Sequence, residues 1–198
     1  MTKLWLATTN SGKIREIQQI LSETGVEIHT PSELSFYAAP PENGKTFEEN
    51  AKIKAKSLHS IVPDDWVLAD DSGLEVEGLN NLPGIHSARY AGEKAQDAEN
   101  TAKLLKMMSL RSATNRKAKF RCVMILRGPG GKEATFDGEL IGEITKAMRG
   151  TSGFGYDPVF QPTGEQRTLA EMTPADKNRI SHRAIALKKV REFFENLS

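Results

Sequence analysis

Leu4-Trp5-Leu6-Ala7-Thr8-Thr9-Asn10-Ser11-Gly12-Lys13-Ile14, continued by Ile17, Ile20 and Leu21, is the stretch that decides the fold class. Its first four residues read as a short buried strand, and from 11 to 23 the apolar side chains recur at helical spacing. The chain therefore opens as strand, turn and helix. Val26-Glu27-Ile28-His29 reads as a second strand, followed by a loop rich in proline and polar residues (Pro31, Pro40, Pro41, Asn43, Gly44). Thr46 followed three residues later by Glu49 is a capping-box pattern and predicts a helix over 47–61.

Further along, Trp66-Val67-Leu68-Ala69 reads as a core strand ending at Asp70-Asp71-Ser72-Gly73, with Leu74-Glu75-Val76 as a further short strand. A helix is expected over 97–108. Strands over 120–126 and 134–144 form a hairpin through Gly128-Pro129-Gly130-Gly131. A glycine-rich loop from Gly150 to Pro158 precedes a short strand, and a helix closes the sequence over 182–197. No repeat or linker interrupts it. The expectation is a single α/β domain over 1–198, a mixed sheet flanked by helices.

Of the 198 residues, 38% are hydrophobic and 27% charged, which suits a folded globular chain. The 27 basic and 26 acidic side chains leave a net charge of +1, so nucleic acid is not the expected partner. A small anion remains compatible, because it needs only a local cluster of donors. The only cysteine, Cys122, lies in an apolar run and reads as a buried thiol in a reducing compartment. The opening apolar run is too short for a signal peptide, and no run reaches the roughly 18 apolar residues of a membrane span. A cytoplasmic protein without membrane association is expected.

Four motifs can carry chemistry. Thr8-Thr9-Asn10-Ser11-Gly12-Lys13 stands where a strand hands over to a helix, and helix-start amides with a lysine suit an anion. It is not a Walker loop, since Ala7 stands where the first glycine is required and Ile14 where a hydroxyl is required. Taken alone, the motif fits phosphate binding and a simple cap with a solvated lysine equally. Asp70-Asp71 offers carboxylates for a hard cation and a water, or else an Asx-turn at the surface. Of the other acidic residues, Glu42 is a further candidate, Glu49 has a capping task, and Glu48 suits a solvated face.

Gly153-Phe154-Gly155-Tyr156-Asp157-Pro158 offers two aromatic faces for stacking a base, or a turn packed by two aromatics. Ser181-His182-Arg183, with Lys177 just before it, is either a donor cluster at a helix start or a cap with a snorkelling arginine. His29, His59 and His86 lack metal-ligand spacing, and neither a dinucleotide fingerprint nor a serine-hydrolase elbow is present.

Read together, Ala7–Lys13 with Glu16, Thr46-Phe47-Glu48-Glu49-Asn50-Ala51, Ala69-Asp70-Asp71-Ser72-Gly73-Leu74, Pro83-Gly84-Ile85-His86-Ser87-Ala88-Arg89-Tyr90, Gly153–Pro158 and Ser181-His182-Arg183-Ala184 closely resemble the inosine/xanthosine triphosphate pyrophosphatases, the Ham1-like family. The motifs stand in that family's order, and the match covers essentially the whole chain. The resemblance implies an elongated central mixed sheet, two lobes around a nucleotide cleft, and a homodimer. It implies hydrolysis of ITP, dITP and XTP to the monophosphate and pyrophosphate with Mg²⁺.

By the same resemblance, Thr8, Thr9, Asn10, Ser11, Gly12 and Lys13 hold the triphosphate. Asp71 is the catalytic base and, with Glu42, a metal ligand, while Ser72 touches substrate. Phe154, Gly155, Tyr156, Asp157, Lys177, His182 and Arg183 hold and read the base. Thr9 replaces a frequent glycine, and Asn43 follows Glu42 where an acidic residue or threonine is common. The nearest alternatives are the same scaffold acting on pyrimidine or canonical triphosphates, and a nucleotide sensor without turnover.

Overall fold

The computed structural model describes residues 2–111 and 114–197. In chain order the elements are β1 (Lys3–Leu6), α1 (Ser11–Leu21), β2 (Glu27–His29), α2 (Phe47–His59), β3 (Trp66–Val76), β4 (Leu82–Pro83) and α3 (Asp97–Leu110). They are followed by β5 (Lys117–Arg127), β6 (Glu133–Ile144), β7 (Phe160–Pro162), α4 (Pro174–Ile180) and α5 (His182–Glu195). The strand order is β2-β1-β3-β5-β6-β7, with β4 on β3. Pairing is parallel for β1 with β2 and β3, and antiparallel for β3 with β4 and β6 with β7, so the sheet is mixed as expected.

Two compact units arise from this one chain. The first holds Met1–Asp71, Cys122–Gly138 and Arg183–Ser198, and the second Ser72–Arg121 and Glu139–His182. Each has its own core. In the first unit, Ile17 and Leu21 of α1 and Ala186, Leu187 and Val190 of α5 pack with Leu4, Leu6 and Leu68. Ala51, Ala55 and Leu58 of α2 pack with Trp5, Val67 and Ala69. Alternation along a strand explains the division, because successive side chains leave on opposite faces. In the second unit Leu74, Val76, Leu104, Phe120, Tyr156 and Phe160 form the core.

One expectation is corrected. Asp70-Asp71-Ser72-Gly73 is not a turn at a strand end: β3 runs unbroken for 11 residues through it. A D-D-S-G run favours a turn when its carboxylates need water, but here both are buried beside cations, so the backbone remains extended. Neither an Asx-turn nor surface carboxylates fit that placement. The helix starts follow the sequence more closely: Thr46 Oγ1 accepts the Glu49 N–H at 3.1 Å, and Glu49 Oε2 accepts that of Lys45 at 2.7 Å.

The hairpin glycines have a packing reason as well. Gly128 lies against the face of Trp66, and a Cβ there would sit 2.5 Å from the ring. Trp66 is wedged edge-on against Phe193 and Phe194 and has little room to retreat. Gly128→Ala is therefore expected to lower unfolding free energy by about 1–3 kcal/mol, as overpacking does, measurable as a shifted urea midpoint with unchanged slope.

Candidate active site

In the first unit, Ala7 N–H donates to Leu68 O at 2.8 Å, which pins the loop after β1 beside the first part of β3. Asn10 caps α1. Its Oδ1 accepts the Lys13 N–H at 3.0 Å, and its own N–H donates to Thr8 Oγ1 at 3.2 Å. Helix geometry leaves the first amides without intrahelical partners, and since the cap takes that of Lys13, those of Ser11 and Gly12 are what an anion would meet.

Lys13 reaches down to β3, its Nζ 3.0 Å from Asp70 Oδ1. Asp70 also meets the Arg183 guanidinium at 3.3 Å and the Cys122 Sγ at 3.8 Å. Arg183 is in turn bound to Glu16 at 2.5 Å. This is a buried chain of alternating charge: Glu16, Arg183, Asp70, Lys13. Burial alone would raise the Asp70 carboxyl, but Lys13, Arg183 and Lys54 outweigh it and hold the group well below the usual carboxylate range. Burial pushes the Cys122 thiol up, so it is an inert buried thiol, as expected.

Asp71 leaves β3 on the opposite face, toward α2. There Lys54 Nζ stands 3.5 Å from Asp71 Oδ1 and 3.4 Å from Glu42 Oε1, so one ammonium links the two carboxylates. Burial raises the Asp71 pKa, with Glu42 and Asp70 adding to it against Lys54 and Lys13. The Lys54 pKa is raised as well, because Asp71, Asp70 and Glu42 outweigh the opposing effect of its burial and keep it charged.

The donor set suits a hard cation. Asp71 Oδ2 is buried and has no hydrogen-bond partner among the described residues, a cost of order 1–3 kcal/mol that a bound cation would remove. Lys54 bridges Asp71 to Glu42 on this face, and Lys13 and Arg183 meet Asp70 on the other. Two oxygen ligands with the rest from water and phosphate is the usual manner of holding Mg²⁺.

The second unit carries a separate cluster. Asp157, 2% exposed, accepts through Oδ2 from Lys177 Nζ at 2.6 Å and from the Phe154 N–H at 3.0 Å. The Lys177 ammonium also lies 4.6 Å from the centre of the Phe154 ring, a cation–π contact. Gly153 has a φ of +78°, and a Cβ there would strike Asp157 Oδ2 at 2.1 Å, so the loop needs glycine at that position. His182 lies flat on Phe120, with centroids 4.7 Å apart and planes at 9°.

One sequence expectation changes here. Of the two aromatics in this loop only Phe154 is half-exposed. The Tyr156 ring is 4% exposed in the core and its hydroxyl donates to Ser87 O at 2.8 Å, so it anchors the loop and offers no face for stacking. Arg183, expected as a reader of the base, meets Asp70 and Glu16 through its guanidinium. Ser72 follows Asp71 in β3, so its side chain leaves on the Asp70 side.

Sequence reasoning missed Lys54. Its signal was present, because it shares a helical face with Asn50, Ala51, Ala55 and Leu58, where a lysine has no reason to stand unless a charge awaits it. Glu48, expected at a solvated face, is there and pairs with Lys52.

The Ham1 family model matches residues 4–193 of this chain. A dITP/XTP pyrophosphatase of Bdellovibrio bacteriovorus is 49% identical over 99% of both chains. The dITP/XTP pyrophosphatase of Bacillus subtilis is 41% identical over 98% of both. Among solved structures, a HAM1 protein from Coxiella burnetii has a TM-score of 0.90 at 38% identity, covering 99% of this chain and 100% of that one. The Staphylococcus aureus Ham1 protein has a TM-score of 0.86 at 38% identity, with both chains covered in full at 100%.

Proposed function

The chain belongs to the Ham1 family, and on that premise we propose that it is a pyrophosphohydrolase of non-canonical purine nucleoside triphosphates, converting dITP, ITP and XTP to the monophosphate and pyrophosphate and so removing them from the nucleotide pool. The observation that carries the residue roles is the pair Asp71 and Glu42 held by one lysine, with an unpartnered buried oxygen on Asp71. Relatives named dITP/XTP pyrophosphatase over nearly the full length support the substrate.

Hydrolysis between the α and β phosphates needs a water at the α phosphorus and neutralisation of the departing pyrophosphate. Asp71 orients that water and accepts its proton as the new P–O bond forms. Its raised pKa suits it to the task, since a base is most effective when its pKa approaches working pH. Lys54 shields the two carboxylates from each other and stands where phosphate oxygens arrive. Lys13, with Thr8, Thr9, Asn10, Ser11 and Gly12, steadies the leaving pyrophosphate, and Asp70 and Arg183 fix the position of Lys13. Asp71 and Glu42 would hold Mg²⁺, which would supply Lewis-acid neutralisation of the phosphate charge.

Phe154, Gly155 and Asp157, with Lys177 and His182, hold the base, and Ser72 contacts substrate. Inosine and xanthosine present an acceptor oxygen at C6 where adenine presents an amino donor. A donor such as Lys177 would pair with the first and be left unsatisfied by the second. Action as a homodimer in the cytoplasm completes the proposal. Among the described residues no helix is long and apolar enough to cross a membrane.

The test is a product assay with ITP, dITP, XTP, ATP and GTP. Monophosphate and pyrophosphate from the first three, with ATP and GTP largely spared, is expected. Orthophosphate release, or binding without turnover as in a sensor, would remove the mechanism. Chelation with EDTA is expected to abolish pyrophosphate release and added Mg²⁺ to restore it, while the far-ultraviolet circular dichroism stays unchanged.

A further inference from the structure

Gly155, at the centre of the loop assigned above to the base, is held by a helix that none of the recognised site motifs includes. Asp97 is the first residue of α3, and its Oδ2 accepts the Gly155 N–H at 2.7 Å. One turn later Thr101, 1% exposed, brings its Oγ1 to 3.3 Å from Gly155 O, although its single proton goes first to Asp97 O at 2.8 Å. Residues four apart share a helix face, so α3 brings Asp97 and Thr101 to the backbone N–H and C=O of the single residue Gly155 from one side. Gly155 has a φ of +63°, and a Cβ there would meet nothing within 4 Å. No neighbouring atom packs over this residue, and the Asp97 carboxylate restrains its N–H.

We infer that Asp97 is a positioning residue for base recognition: by taking the Gly155 N–H it sets the loop that carries Phe154 before substrate arrives. This rests on the assignment of that loop to the base. The arrangement also fixes which donors remain. The Phe154 amide is committed to Asp157 and the Gly155 amide to Asp97, so neither is available to an incoming base oxygen. That role falls to side chains. The plain alternative is that Asp97 only completes the acidic first turn of α3, with Glu99, against the helix dipole.

The two readings separate by substitution. Asp97→Ala removes the acceptor, while Asp97→Asn removes the charge and keeps an oxygen for the same N–H. Asp97→Ala is expected to raise KM for dITP by roughly tenfold with kcat within about twofold, as loss of a hydrogen bond to a charged acceptor would. Asp97→Asn should return KM most of the way. Hydrogen exchange over 153–157 in the ligand-free protein should quicken in the alanine variant and not in the asparagine one.

A lowered melting temperature in both variants, with KM and exchange unchanged, would overturn the inference. So would equal KM rises in both. Phe154→Ala separates this from failure of the base assignment. If that variant also leaves KM unchanged, the loop does not hold the base. If it raises KM while Asp97→Ala does not, the assignment stands and the clamp is wrong. The exchange readout tests the clamp in either case.

Discussion

Asp71→Asn is expected to lower kcat for dITP by roughly 10²–10³-fold, the usual loss when one preorganised electrostatic partner of a transition state is removed. Asparagine matches aspartate in size, and Asp71 is held by Lys54 alone among the ion pairs at that face, so the fold has little reason to change. The carboxylate is buried with one oxygen unpartnered and a raised pKa, so neutralising it relieves strain in the unliganded protein. Melting temperature should hold or rise while turnover collapses, and that opposition is the signature of a group kept for chemistry. The measurement is steady-state kinetics at saturating Mg²⁺, so that a weakened metal site does not pass for a lost base. Near-normal kcat would take Asp71 out of the reaction.

On the other face of β3 the largest expected effect is on stability. Arg183→Met should cost about 3–5 kcal/mol of unfolding free energy, because it removes a buried cation from both Glu16 and Asp70 and leaves Asp70 with Lys13. Arg183 is 2% exposed, so water cannot take over its role. Methionine fills much of the volume, which makes charge rather than a cavity the cause. Chemical denaturation of Arg183→Met beside Arg183→Lys resolves the point. Lysine keeps the charge without the planar fork and should fall between the two. A loss under 1 kcal/mol in the methionine variant would mean that Asp70 is neutral in the folded protein, against the direction given by Lys13, Arg183 and Lys54.

The fold was legible where periodicity speaks. The β1 to α1 passage, the Thr46 cap, the 128–131 hairpin and the last helix all stand within a few residues of expectation. It failed at 70–73, because a turn propensity was read without the cations that make an extended, buried Asp-Asp affordable. The site was legible as a set of motifs and not as a set of partners. Lys54 and Asp97 lie outside or at the margins of those motifs and find their partners only through tertiary contact. The motifs did not reveal that the Tyr156 ring lies in the core or that Arg183 pairs with Asp70.

The Glu16–Arg183–Asp70 chain also bears on the order of synthesis. Arg183 follows Asp70 by 113 residues and Glu16 by 167. A ribosome adding about 5–20 residues per second exposes both carboxylates seconds before their arginine exists. Until α5 emerges, Asp70 has Lys13 but not Arg183, while Ile17 and Leu21 of α1 can already pack with Leu68 of β3. The buried charge chain is therefore completed only when the last helix supplies its guanidinium.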